Sequence, residues 1–320
     1  MQAVRWAALA ILLLAGSARA ETAYVTNEQD NTVSVIDGVT LRTVSTIPVG
    51  RRPRGIALSR DERELYVAVG DDNRIDVVDL ASRRVTGSLP SGEDPEQFVL
   101  HPDGRRLFVA NENDNLVTVV DVVERRILSD VEVGVEPEGM GASPDGRLVV
   151  NTSETTSMLH VIDAASLELI DNVLVDTRPR VAQMSPDNRQ IWVSSELRGS
   201  VSVFDAVTRE PLTKIAFEVP GVARELIQAV GIQLTPDGSR AYVALGPANR
   251  VAEVDAKSFK VLKTYLVGQR VWQIALSPDS RRLYTANGNS SDVSVIDLVR
   301  GEVVKTIPVG RSPWGVAVAP

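Results

Sequence analysis

Short runs in which apolar and polar residues alternate recur along the whole chain, and each run ends at an aspartate. Thr32–Asp37, Leu116–Asp121 and Asp292–Asp297 are three examples. Successive aspartates are 42 residues apart, except for one interval of 50 residues, and they are Asp37, Asp79, Asp121, Asp163, Asp205, Asp255 and Asp297. Alternation with a period of two is typical of short β-strands. A repeat of about 40 residues built from such strands is typical of a β-propeller blade.

Each repeat contains signals for four strands. In the second repeat we predict strands at Gly55–Leu58, Leu65–Ala68 and Ile75–Val78, and a fourth near Arg84–Leu89. Turns such as Pro102–Gly104 separate the first two strands, because proline presets φ and glycine tolerates positive φ. We interpret the seven aspartates as turn caps, not as catalytic or calcium-binding groups. The sequence therefore predicts an all-β, seven-bladed β-propeller of four-stranded antiparallel blades.

The ends of the repeat array predict how the ring closes. After residue 20 the chain begins with a second strand, Ala23–Thr26, and it stops after a first strand, Gly315–Val318. We therefore expect the C-terminal strand to complete a blade with the three N-terminal strands, which removes free sheet edges. Residues 21–320 are predicted to form a single domain.

The N-terminus reads as an export signal. One arginine precedes the ten-residue apolar stretch Trp6–Ala15, and Ala18, Arg19 and Ala20 form a small-x-small cleavage site. This pattern predicts a signal peptide of residues 1–20, cleaved after Ala20, and a periplasmic protein. The stretch is shorter than the roughly 20 residues of a membrane span, so we predict none.

Charge limits the partners that the protein can bind, and cysteine content limits its covalent and metal chemistry. Cleavage would remove two arginines and no acidic residue, which changes the formal charge from −8 to −10. Such an acidic protein is not expected to bind nucleic acid. The chain has no cysteine, so it forms no disulfide, thiolate metal site or covalent c-type haem.

Few residues suggest a metal. His101 and His160 fall in different strands of different repeats, and the acidic links Asp71–Asn73 and Glu112–Asn115 lack the ordered spacing of a calcium loop. We predict no catalytic residue, no metal site and no cofactor.

The position just before each first strand is the strongest candidate for a binding surface. Propellers generally use the loops at one end of the channel. Here the repeats diverge into charges and tryptophans, at Arg54, Glu96, Glu138, Arg180, Val230, Trp272 and Trp314. Arginine suits carboxylate or phosphate oxygens, and tryptophan offers a flat apolar face. We predict a ligand- or partner-binding rim made of Arg54, Glu96, Glu138, Arg180, Arg270, Trp272 and Trp314. The alternative is a solvated rim whose charges only pair with each other.

The longer repeat carries an insertion within Glu218–Gln228, on the same rim. Val222, Leu226 and Ile227 lie beside Arg224 and Glu225 in this segment. Two interpretations stay open: a lid or docking loop, and a loop packed over the gap between two blades.

Several motifs resemble known families. Tyr24–Asn27, Asn31–Asp37 and Ile47–Gly50 resemble the YVTN family of β-propeller repeats, and the pattern recurs from Tyr284 to Gly310. Other segments are similar to the PQQ-dependent catabolism-associated β-propeller proteins, namely Glu136–Met140, Val150–Thr156, Asp171–Asp176, Ala244–Val251 and Val267–Gln273. This resemblance implies a periplasmic accessory protein that works beside a quinoprotein dehydrogenase, a cytochrome or a transport component. It supplies no catalytic residue, and the insertion departs from the form typical of the subgroup.

Three functions follow as hypotheses. The leading one is a non-enzymatic periplasmic propeller that binds a partner protein or a small ligand on the rim. The second is a hydrolase of the propeller lactonase kind, for which His101 and His160 are the only histidine candidates. The third is a haem or quinone carrier related to the d1-haem propeller of nitrite reductase.

Overall fold

The computed structural model describes residues 21–320, so the predicted signal peptide, residues 1–20, lies outside the described residues. The described chain forms seven four-stranded antiparallel sheets, which we number as blades 1 to 7. Blades 1 and 2 contain β1 (Thr22–Asn27), β2 (Thr32–Asp37), β3 (Arg42–Pro48) and the last strand β28 (Pro313–Ala319), then β4 (Pro53–Leu58), β5 (Glu64–Val69), β6 (Arg74–Asp79) and β7 (Arg84–Pro90). Blades 3 and 4 contain β8 (Pro95–Leu100), β9 (Arg106–Asn111), β10 (Leu116–Asp121) and β11 (Arg126–Glu132), then β12 (Pro137–Ala142), β13 (Leu148–Ser153), β14 (Met158–Asp163) and β15 (Glu168–Leu174).

The remaining blades follow the same plan. Blade 5 contains β16 (Pro179–Met184), β17 (Gln190–Ser195), β18 (Ser200–Asp205) and β19 (Pro211–Ala216). Blades 6 and 7 contain β20 (Ile232–Leu234), β21 (Arg240–Ala244), β22 (Arg250–Asp255) and β23 (Val261–Leu266), then β24 (Val271–Leu276), β25 (Arg282–Asn287), β26 (Asp292–Asp297) and β27 (Glu302–Pro308). Two 3-10 helices, Gly70–Asp72 and Arg224–Leu226, interrupt the loops. None of the helices described is long and apolar enough to cross a membrane.

Blade 1 confirms the predicted ring closure. Its strand order is β28-β1-β2-β3, and β28 pairs with β1 through Thr22–Ala319 and Val25–Val316. First strands of neighbouring blades contact each other and surround a central channel. We call the end at which the first strands begin the mouth, and the end with the Pro-Asp-Gly turns the lower end.

The hydrophobic core lies between neighbouring blades. Second and third strands are buried on both faces, and Val33 and Val35 of blade 1 pack in one cluster with Leu65 and Val67 of blade 2. Each such side chain contributes about 1.5–3 kcal/mol by burial, so the ring is stabilised at every interface. Fourth strands such as β3 alternate between exposed and partly buried residues because they form the outer edge.

The seven aspartates cap turns, as predicted. Each accepts a hydrogen bond at Oδ1 from the backbone N–H three residues later, for example from Ser82 to Asp79 at 2.7 Å and from Arg300 to Asp297 at 2.9 Å. The other five do the same at the lower end. These bonds satisfy backbone donors that have no ladder partner, which explains why the residue recurs in every blade.

Candidate functional site: an arginine–glutamate network at the mouth

A β-bulge at the start of the first strand places the rim residues over the channel. In blade 2 the pairing of β4 with β5 skips from Pro53 to Ile56, which leaves Arg54 and Gly55 outside the regular ladder. The same shift occurs in blades 1, 3, 4, 5 and 7. Bulges re-aim side chains, and six of the seven rim residues therefore turn towards the axis. The seventh, Val230, is buried and precedes a shorter first strand.

The structure brings most of the predicted rim residues together and buries several of them. Glu96 is 0%, Glu138 2%, Arg180 6% and Trp314 2% exposed. These side chains fill the end of the channel and are far less accessible than ordinary rim charges. Buried charges require partners, and the network supplies them in two groups.

The first group surrounds Arg54. Its Nη1 donates to Glu96 Oε2 at 2.5 Å and its Nη2 donates to Glu28 Oε1 at 3.2 Å. Arg52 Nη1 also donates to Glu96, at 2.9 Å, and Arg52 pairs with Asp94. The Arg54 guanidinium lies 5.7 Å from the centre of the Trp314 ring, which adds a cation–π contact.

The second group surrounds Arg180. Its Nη1 lies 3.1 Å from Glu138 Oε1 and contacts Glu154, and its Nε donates to Glu196 Oε2 at 2.7 Å. Three carboxyl groups therefore share one buried guanidinium.

Two outer arginines cover the second group. Arg178 Nε lies 2.7 Å from Glu154 Oε2, and Arg270 Nη2 donates to Glu196 Oε1 at 2.7 Å. Trp272 lies between the cations, 4.0 Å from the Arg270 guanidinium and 5.5 Å from that of Arg180.

Sequence reasoning missed most of the acidic partners. They occupy one repeat position, four residues after the aromatic-rich position of the second strand, which holds Glu28, Gly70, Glu112, Glu154, Glu196, Gly246 and Gly288. Four blades present a glutamate there and three present glycine. A Cβ at Gly70 would lie 2.3 Å from Arg52 Nη2, and one at Gly288 would lie 2.6 Å from Trp272 Nε1. The glycines thus make room for the large rim side chains, and aligning this position across the repeats would have revealed the pattern.

Carboxyl groups outnumber the buried guanidinium groups, and this excess sets their protonation. Burial, supported by the negative charges of Glu96 and Glu154, raises the pKa of Glu138 to about 8 against the attraction of Arg180. Burial and the neighbouring Glu96 raise the pKa of Glu112 to about 7. Burial also acts to raise the pKa of Glu96, but Arg54 and Arg52 outweigh it and hold this pKa below its usual range. The mouth therefore holds protons near neutral pH.

Both histidines contact backbone groups of neighbouring segments. His160 Nε2 accepts from the backbone N–H of Gly134 at 2.9 Å, and its Nδ1 lies 2.5 Å from Asn172 Oδ1. Ser153 Oγ is 3.0 Å from the same Nε2, which resembles a nucleophile–base–amide arrangement. Ser153 and His160 are buried, however, and equivalent strand residues such as Asp76 accept the corresponding glycine N–H. His101 contacts the Gly146 carbonyl, 2.8 Å away, at the lower end.

The acidic links that suggested calcium are engaged in turns and ion pairs. Asp72 pairs with Arg51 at 2.7 Å, and Asp71 pairs with Arg52 at 3.0 Å. Among residues 21–320, the carboxylates of Asp94, Glu96 and Glu112 are close enough to share a metal ion. Arg52 already neutralises Asp94 and Glu96, so its guanidinium takes the place that a cation would need.

The insertion packs over the gap between blades 5 and 6. Val219 and Ile227 are buried in the cluster that joins these blades, and Val222 packs against it. The tip, Arg224–Leu226, is exposed. Gln228 Oε1 accepts a hydrogen bond from Arg270 Nη1 at 2.5 Å, which connects the loop to the network.

Comparisons with known proteins agree with this architecture. The family model described as a seven-bladed β-propeller lactonase matches residues 14–132, and the model of the cytochrome D1 haem domain matches residues 96–185. None of the curated proteins is similar enough to match.

Solved structures share the fold at low sequence identity. Hydrazine synthase from Kuenenia stuttgartiensis is 19% identical, with a TM-score of 0.77, over 86% of this chain and 92% of that one. A protein of unknown function from Desulfotomaculum acetoxidans DSM 771 is 15% identical, with a TM-score of 0.79, over 93% and 98%. With the seven sheets, these similarities establish that the chain is a seven-bladed β-propeller.

Proposed function

We propose that this protein is a non-enzymatic periplasmic propeller that serves PQQ-dependent alcohol catabolism by binding a partner at its mouth. The partner is a quinoprotein dehydrogenase, a cytochrome or a transport component, or a small ligand that one of them handles. The observation that carries the proposal is the convergence of divergent rim residues from six blades into one preorganised network, on a scaffold that otherwise repeats.

The charge layering of the second group indicates what the partner presents. The side chains of Glu138, Glu154 and Glu196 are at most 5% exposed, whereas that of Arg178 is 45% exposed. Arg178 Nε lies 2.7 Å from Glu154 Oε2 and 3.3 Å from Glu196 Oε2, and nearly half of the Arg178 side chain remains accessible above them. An accessible guanidinium in this position suits carboxylate groups of a partner.

Binding of purified proteins tests this proposal. The affinity of the propeller for the quinoprotein dehydrogenase and for the cytochrome of the same host is measured by biolayer interferometry. We expect Arg178→Gln to weaken the complex about tenfold, because a charge-assisted bond is lost. Arg300→Gln, which changes a more exposed arginine at the lower end, should leave affinity unchanged. Absence of binding to both proteins and to a transport component, or equal loss with the two variants, would contradict the proposal.

A hydrolase is the second candidate, since the lactonase family model matches residues 14–132. Turnover of a lactone panel with and without added divalent metal tests it. The hydrolase would be favoured over the binding protein if lactone turnover is lost in Glu96→Gln and kept in Arg178→Gln. The match to the cytochrome D1 haem domain is tested by the visible spectrum of protein from its native host. A haem band would favour the carrier.

A further inference from the structure

A cavity of about 360 Å³ lies in the central channel below the mouth. The first strands of blades 3 to 7 enclose it, from β8 to β24. Four glutamines provide the polar side chains of its wall: Gln97, Gln183, Gln233 and Gln273. Its other side chains are apolar, including Val99, Met140, Met184 and Ile232, and no lining residue carries a charge.

The glutamines occupy two levels of the channel. Gln97 and Gln273 follow the rim residues Glu96 and Trp272 directly, and Gln183 and Gln233 lie two residues further along their own strands. Positions two residues apart share one face of a strand, so both levels face the axis. Aligned positions in other blades hold glycine, alanine or valine, for example Gly55 and Ala57. The four amides come from blades 3, 5, 6 and 7.

The amides are only partly satisfied by the protein. Gln97 Nε2 donates to the Arg180 carbonyl at 3.4 Å, and Gln183 Oε1 accepts from the Leu234 N–H at 3.2 Å. The Gln273 amide nitrogen is buried and has no hydrogen-bond partner among residues 21–320. A buried donor without a partner costs free energy. The Gln273 side chain as a whole is partly exposed, so a rotation that brings its covered nitrogen to the cavity would let an acceptor on a ligand remove that cost.

Access differs between the two ends. Glu96 and Arg180 fill the mouth immediately above Gln97. Pro144 and Pro186, from the turns at the lower end, line the other boundary of the cavity. A ligand therefore enters from the lower end, and the paired charges of the mouth close the opposite end of the cavity.

We propose that this channel binds a small uncharged organic molecule that combines a carbonyl of the amide type with an apolar body. The carbonyl accepts from the Gln273 amide nitrogen after this side chain rotates towards the cavity, and the apolar body contacts Met140 and Met184. Charged molecules are excluded, because no lining group can neutralise a buried charge. The volume lies near the lower limit of ligand pockets, which restricts the ligand to small molecules. This site is separate from the mouth and does not depend on its proposed partner.

Three probes of equal size and different charge test the proposal: benzamide, benzoate and benzylamine. Titrations followed by ligand-observed NMR should show saturable millimolar binding of benzamide. Benzoate and benzylamine should bind at least about tenfold more weakly, because burying their charges is costly. Gln273→Leu should weaken benzamide about fivefold, because it removes the donor and keeps the volume. The matched variant Gln29→Leu, at an exposed site outside the channel, should have no effect.

Filling the cavity locates the site. Ala142→Phe should abolish benzamide binding while thermal unfolding and circular dichroism confirm a folded ring. If this variant does not fold, Gln233→Leu together with Gln273→Leu takes its place, and the double variant should lose binding. The proposal is overturned if benzamide shows no saturable binding, if benzoate binds as tightly as benzamide, or if the folded variant with a filled or amide-free cavity still binds it.

Discussion

The two ends of the central channel solve the problem of polar groups near a crowded axis in opposite ways. At the mouth, Arg54, Arg180 and the surrounding glutamates fill the space and neutralise each other. One residue further along the first strands, the charges stop, and Gln97 and Gln273 border an open cavity. In blade 3 the bulge contains both Glu96 and Gln97, so the change from charge to amide occurs between adjacent residues. The availability of ionic partners from neighbouring blades thus decides which polar groups each level of the ring can hold.

Desolvation explains the difference. A charge inside the ring is tolerated only with a partner, and adjacent blades can supply that partner where the bulges bring long side chains together. Even there the acids exceed the arginines, and Glu138 and Glu112 retain protons near neutral pH. Beyond the rim residues, first-strand side chains have no ionic partner, so a glutamine is the most polar residue that can be buried there.

The largest effect is expected from a deletion that alters both ends of the channel at once. Deleting residues 313–320 removes β28, and with it Trp314 at the mouth and the first strand of blade 1. The ring then opens, and β1 presents an unpaired edge. We expect loss of cooperative unfolding and aggregation in size-exclusion chromatography. A monomeric protein with an unchanged unfolding midpoint would show that closure contributes little.

The repeats determine how much of this structure can be predicted from the sequence. The 42-residue period sets blade number, strand order and closure, because each repeat must stack on the next to bury its core. Alignment of the repeats also located Arg54, Glu96, Glu138 and Arg180. Their burial was not predictable in this way, since the bulge that turns them inward depends on backbone geometry. The four glutamines lie on two different repeat positions, so no single repeat position distinguishes them in the sequence.

Among the mouth residues, Arg180 is expected to contribute most to the free energy of unfolding, and Arg180→Met tests this. The change leaves Glu138, Glu154 and Glu196 in their buried positions without their shared guanidinium. We expect the free energy of unfolding to fall by about 3–5 kcal/mol in urea denaturation. Arg147→Met, which removes an exposed arginine paired with Asp145 at the lower end, should change it by less than about 0.5 kcal/mol. Equal effects of the two variants would mean that the mouth network is not stabilising.

The protonation of Glu138 predicts that the free energy of unfolding depends on pH differently in the wild type and in Glu138→Gln. Its pKa is about 8 in the folded protein, against the ordinary glutamate value of 4.5 that applies once the chain is unfolded. The folded state therefore binds the extra proton between these values, so the stability from this group is complete below pH 4.5 and is lost as pH rises towards 8. Glu138→Gln stays neutral throughout. We expect the variant to gain about 1–3 kcal/mol relative to the wild type between pH 5 and pH 8, measured by urea denaturation.

A matched control isolates the buried carboxyl group. Glu168→Gln changes an exposed glutamate on a fourth strand and should run parallel to the wild type across the same pH range. Glu112, whose pKa is about 7, remains in both proteins, so the Glu138→Gln curve should become shallower and not flat. A curve for Glu138→Gln that is parallel to the wild type would show that Glu138 is ionised in the folded protein.

The smallest expected effect concerns the channel, where Gln273→Leu replaces an unsatisfied buried amide by an apolar side chain of similar size. Without ligand, the free energy of unfolding should rise by about 0.5–1 kcal/mol, because the cost of the unpaired amide disappears. Gln97→Leu is the matched comparison, since it loses the hydrogen bond to the Arg180 carbonyl and should be neutral or slightly destabilising. A destabilising Gln273→Leu would mean that this amide already has a partner, and the contrast between a filled mouth and an unsatisfied channel would fail.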